Sequence, residues 1–147
     1  MDYYNKIEAL MNKTCYVIDI LPKRVEKENG GQYFAVEDYY QRKTESIKIF
    51  QKFKDILLKL NCYYDFQVCY QDRCSVNPSP DKLTEWIMQC SISRKKHLSI
   101  YIEKEDALIA VNNGDLYMVL YNPNEELITL AKELARSEGL YVWKTQN

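Results

Sequence analysis

Residues 98–143 read LSIYIEKEDALIAVNNGDLYMVLYNPNEELITLAKELARSEGLYVW, and the hydrophobic period changes within them. Leu98, Ile100 and Ile102 alternate with Ser99, Tyr101 and Glu103, which is the two-residue repeat of a strand. A polar turn, EKED, leads into a second apolar run at Ala107–Val111. Asn112-Asn113-Gly114-Asp115 then has hairpin chemistry, because Asn and Gly accept the left-handed backbone that tight turns require. Leu116–Tyr121 completes a three-strand meander. Beyond it the repeat becomes helical: Leu127, Leu130, Ala131 and Leu134 share one face. Asn122 is placed to cap this helix, with Pro123 at its first position and Glu125 at its third, and Gly139 is placed to end it. Leu140–Trp143 closes the stretch as a strand that, following a helix, is free to lie parallel to a neighbour.

Working back towards the N-terminus, residues 2–13 have the period of a short amphipathic helix, with Ile7 and Leu10 on its apolar side. Thr14–Leu21 is apolar on both faces and rich in β-branched and aromatic residues, as an interior strand is, with Asp19 interrupting it. Pro22 loosens that strand. Asn29-Gly30-Gly31 signals a turn, so a hairpin with a second strand at QYFAVE (32–37) is expected. Ile49, Phe50, Phe53, Ile56, Leu57 and Leu60 form a helical stripe, with lysines opposite. Cys62–Tyr70 alternates as a strand. Ser79, Pro80 and Asp81 then open another helix, carrying Leu83, Trp86, Ile87 and Cys90. The expected fold is α+β, one domain over residues 1–147. It has a mostly antiparallel twisted sheet and three to four packed helices in the order α-β-β-α-β-α-β-β-β-α-β.

With 46% apolar and 28% charged residues the chain has globular composition, and 147 residues suffice to bury a core. Twenty basic against twenty-one acidic side chains create no field to draw it onto nucleic acid or an anionic membrane. Its first residues lack a signal-peptide pattern, and no apolar run reaches membrane-spanning length. Together with an odd number of cysteines, this predicts reduced thiols and a cytoplasmic location. Cys15, Cys62 and Cys90 fit buried positions.

Catalytic signatures are sparse. His97 is the single histidine, so any nucleophile–His–carboxylate triad depends on it. A zinc site at Cys69, Cys74, Cys90 and His97 lacks paired-ligand spacing. Acidic groups at Glu103, Glu105 and Asp106, or at Glu37 and Asp38, allow a metal-dependent hydrolase or nuclease reading. No H-E-x-x-H, EF-hand or phosphate-loop motif accompanies them, and no cofactor or metal is expected. Arg42, Lys43, Lys48, Lys52, Lys54 and Lys59 on the helix around 41–60, with Arg94-Lys95-Lys96, offer a route to nucleic acid; a solvated helix face explains them more simply.

Thirteen tyrosines are the compositional excess. In YFAVEDYY (33–40) three of them stand beside two carboxylates, and charge-flanked aromatics are what protein interfaces enrich. Tyr33, Glu37, Asp38, Tyr39 and Tyr40 are therefore the candidate partner-binding residues. In size, tyrosine content and lack of catalytic motifs the chain resembles small cytosolic α/β binding proteins such as bacterial immunity proteins. That resemblance implies a non-enzymatic inhibitor or adaptor. An exposed sheet edge would also allow a homodimer.

Overall fold

The computed structural model describes residues 3–26, 28, 30–93, 95–112 and 116–145. Among the described residues five α-helices, α1 (Tyr3–Leu10), α2 (Tyr33–Tyr40), α3 (Lys43–Leu60), α4 (Pro80–Cys90) and α5 (Glu125–Ser137), accompany seven strands. The strands are β1 (Cys15–Asp19), β2 (Gln67–Tyr70), β3 (Arg73–Val76), β4 (His97–Ile102), β5 (Ala107–Asn112), β6 (Tyr117–Tyr121) and β7 (Tyr141–Lys144). They form one sheet in the order β3-β2-β4-β5-β6-β1-β7, every neighbouring pair antiparallel. The fold is α+β, as the hydrophobic periods require.

At each end of the sheet a helix links two strands that run the same way with a third strand between them. β3, α4 and β4 straddle β2; β6, α5 and β7 straddle β1. The apolar stripes of α3, α4 and α5 cover one sheet face, where Phe53, Ile56, Leu57, Leu83, Ile87 and Ala131 pack with Ile100, Ile109 and Met118 at zero exposure. Burying a large aliphatic side chain stabilises by roughly 1.5–3 kcal/mol, so this layer dominates the fold's energetics. The other face is covered more thinly. There α1 brings Leu10 and Ile7 onto Tyr101, Leu108 and Tyr121.

Several local expectations give way. Residues 33–40 are helical, and QYFAVE is not a strand. Both sides of β1 are already taken, by β6 and β7, so no ladder is open to this segment. Its backbone pairs locally instead, with the Val36 N–H donating to the Gln32 carbonyl. The α-helices among the described residues are accordingly five, counting α2. β7 lies antiparallel to its neighbour β1. β3 is a short edge strand that follows a left-handed Gln71 (φ 55°). The strand expected at Cys62–Tyr70 begins only at Gln67, because residues 61–64 continue the α3 end in turns back to Leu57, Lys59 and Leu60. The cap of α5 is Asn124, and its side chain accepts the Leu127 N–H; Asn122 sits in a left-handed turn (φ 57°) two residues earlier. Residues 113–115 of the expected hairpin and Asn29 of the first turn lie outside the described residues.

The thiols also depart from expectation. Cys69 and Cys74, directly opposite across β2 and β3, form a disulfide. Cys90 is buried, Cys15 half-buried and Cys62 exposed. Among the described residues no helix is long and apolar enough to cross a membrane.

Candidate functional site

The chain leaves β1 at Asp19, passes through a loop with Gly30 and Gly31 at φ 70° and 91°, and enters α2. Between this excursion and the outer face of β1, β6 and β7 lies a cavity of about 800 Å³. Its floor follows from strand register. Val17 pairs with Val119 on one side and Trp143 on the other, so all three side chains point to the same face, with Asp19 and Tyr117 two pairs further along on that face. Its roof is the side of α2 that carries Tyr33, Phe34 and Glu37.

The chemistry gathers at one end. Asp19 is only 8% exposed, and its Oδ1 accepts the Ile20 N–H at 2.7 Å while Oδ2 accepts the Trp143 indole N–H at 3.2 Å. Burial raises its carboxyl above the ordinary 3.8, outweighing the N–H donors of Ile20, Leu21 and Trp143. From the roof, the Tyr33 hydroxyl donates to Glu37 at 2.8 Å. Burial, that hydrogen bond, and the charges of Glu37, Asp19 and Tyr117 push Tyr33 up to about 12. Two carboxylates and two phenols thus surround one apolar and aromatic space.

The five residues expected at a partner surface are divided by the helix. Tyr33 and Glu37, four apart, look into the cavity. Tyr40 packs against the main core. Asp38 and Tyr39 are exposed, with the Arg42 guanidinium 5.2 Å from the Tyr39 ring. Phe34 is 69% exposed, and α2 buries none of its residues fully. The tyrosines divide likewise: Tyr64, Tyr70 and Tyr101 are buried, whereas Tyr4, Tyr63 and Tyr141 face outward. Sequence reading missed Asp19, Tyr117 and Trp143 as site residues. The acidic interruption of an apolar strand was the available signal for the first of them.

Other candidates are scattered. His97 begins β4 and Glu103 follows its end, six residues or roughly 20 Å away at strand rise. Glu103 and Glu105 lie in a 3-10 turn, from which Glu105 accepts the Asn124 amide and Asp106 accepts the Tyr101 hydroxyl at 2.9 Å. Two of the four proposed zinc ligands, Cys69 and Cys74, are bonded to each other; burial pushes the Cys90 thiol up to about 12. Among the described residues no group of three or more His, Cys, Asp or Glu is placed to hold a metal. On α3, Lys48, Lys54 and Lys59 pair with Glu45, Asp55 and Glu138. Arg94 lies outside the described residues. No protein-family model matches the sequence, and neither the curated proteins nor the solved structures contain a match to it.

Proposed function

We propose that this chain is a non-enzymatic binding module, an inhibitor or adaptor of the immunity-protein kind, that recognises another protein through α2. The observation that carries the reading is the helix itself. Phe34, Val36 and Tyr39 are all more than two-fifths exposed on an eight-residue element that fully buries nothing. Exposed apolar side chains on a surface helix that buries none of its residues are the kind of surface a protein partner covers. The partner that fits is a protein with an apolar surface that wraps the exposed sides of α2, contacting Phe34 and Tyr39, with Asp38 at the rim.

Two rival readings have less support. Hydrolysis through His97 and the acidic turn lacks a meeting point, since β4 separates them. Nucleic-acid binding through α3 would first have to displace the carboxylates paired with Lys48, Lys54 and Lys59. We place the protein in the cytoplasm, where free Cys15, Cys62 and Cys90 are at home and the Cys69–Cys74 bridge would face a reducing environment.

The test is a quantitative comparison of proteins captured from the native host by the intact chain and by a Phe34→Ser/Tyr39→Ser double variant of unchanged thermal stability. Loss of a stoichiometric partner with the variant supports the reading. Identical recovery by both baits overturns it.

A further inference from the structure

The cavity under α2 has a character of its own, although Phe34 and Val36 belong both to its lining and to the exposed apolar surface of the helix. At about 800 Å³ it falls within the roughly 300–1,000 Å³ range of small-molecule sites, and like them it pairs apolar walls with a few polar groups. Its charges are sorted by depth. Asp19 is buried in the floor and Glu37 reaches in from the roof, whereas Lys23, Arg24 and Glu26 are exposed in the loop at the mouth. The interior is therefore negative and its rim mixed.

We propose that this cavity binds a small organic cation with an apolar body, its ammonium between Asp19 and Glu37 and its hydrocarbon against Val17, Tyr117, Val119 and Trp143. Three considerations select that class. The donors that hold Asp19, the Ile20, Leu21 and Trp143 N–H groups, are all neutral, so they orient the carboxylate without cancelling its charge. A cation entering the cavity would supply a countercharge to Asp19, a carboxylate already desolvated, where a charge-assisted hydrogen bond is strong. The rings of Tyr33, Tyr117 and Trp143 turn aromatic surface to the same space, and aromatic faces attract cations. An anion of equal size would meet two carboxylates instead. A bare metal ion would leave the apolar walls unused.

The probes are 4-phenylbutylammonium, 4-phenylbutanol and 4-phenylbutyrate, which share one apolar body and differ in charge. Binding is followed by the amide and indole N–H shifts of the isotopically labelled protein. The ammonium is expected to saturate the Trp143 and Val119 signals with an affinity about tenfold or more above that of the alcohol, and the carboxylate to bind weakest. Glu37→Gln and Asp19→Asn should each erode that advantage while leaving the alcohol's affinity within about threefold. Should Asp19→Asn fail to fold, Glu37→Gln still decides, because Glu37 lies on the partly exposed α2. Val119→Trp, which fills the floor, should weaken all three probes. The proposal fails if the alcohol or carboxylate binds as tightly as the ammonium, or if the preference survives Glu37→Gln. It also fails if no saturable shift appears at Trp143 up to roughly 10 mM ammonium. Phe34 lines the cavity as well, so capture of a protein is told apart from these outcomes by Tyr39→Ser alone, since Tyr39 does not line it.

Discussion

Trp143 and Asp19 lie on adjacent strands, 124 positions apart in sequence, and the indole Nε1–H is shared between the Asp19 carboxylate (3.2 Å) and the Leu21 carbonyl (3.0 Å). The same contact closes the sheet at β7 and fixes where the chain turns out of β1 towards α2. A hydrogen bond to a charged group contributes about 1.5–3 kcal/mol, and an acceptor left unsatisfied in a buried place costs a similar amount. Trp143→Phe keeps the apolar ring and removes the donor. Urea unfolding should therefore show a loss of about 1–3 kcal/mol. An unchanged midpoint would mean that the indole does not hold the loop in solution.

The buried carboxylate also gives a pH signature. Desolvation raises Asp19 above 3.8, so as the pH falls the folded chain takes up this proton before the unfolded chain does. The group's contribution to stability is thus least at neutral pH, grows as the pH drops through the folded-state value, and is complete below 3.8. Measured against Asp19→Asn, which cannot titrate there, the wild type should gain stability over that interval. The Trp143 indole proton should titrate with a midpoint above 3.8 in the wild type and not in the variant. A midpoint at or below 3.8 would show that the N–H donors outweigh burial. Glu37, Tyr33 and Tyr117 line the same cavity as Asp19, together with Lys23, Arg24 and Glu26, and Glu37→Gln tests whether the carboxylate on α2 matters.

What could be read ahead of the structure was whatever one segment decides by itself. The stripe from Ile49 to Leu60, the caps Ser79 and Pro80 of α4, and the alternation of Leu98, Ile100 and Ile102 all appear where periodicity and capping put them. The helical state of residues 33–40 depends on something remote, the occupation of both edges of β1 by β6 and β7. The five candidate residues of that segment were legible as a group, but their division between cavity, core and solvent follows from the helix turn, not from composition. Trp143 joins Asp19 only because α5 carries β7 across β1, and strand order is invisible in a single segment.

The Cys69–Cys74 bridge joins facing positions of β2 and β3 and closes a ring of six residues. Loop-closure entropy for so short a ring is worth about 2 kcal/mol in the unfolded chain. β3 has β2 as its single neighbour, so the effect should concentrate there. Cys69→Ala/Cys74→Ala, or reduction of the wild type, should accelerate amide exchange in residues 73–76 and lower overall stability by about 2 kcal/mol at most. Exchange that is unaltered by reductant would mean that the hairpin is held by its ladder and by Gln71, whose side chain accepts the His97 N–H.

Asn122 and Asn124 make opposite demands at the start of α5, and substitution tells them apart. Asn124 is extended, and its Oδ1 accepts the Leu127 N–H at 2.9 Å, one of the donors the first helical turn leaves open. Asn124→Ala should cost about 1 kcal/mol and speed exchange of the Leu127 amide. Asn122 instead has φ 57°, receives nothing from the helix, and donates its side-chain amide to the Asp106 carbonyl at 2.9 Å. Asn122→Ala should be destabilising by about 1–2 kcal/mol because alanine resists the left-handed backbone, whereas Asn122→Gly should recover most of that difference. In neither Asn122 variant should the Leu127 amide change its exchange. If Asn122→Ala exposes that amide and Asn124→Ala does not, the helix begins two residues earlier, with Pro123 as its first member.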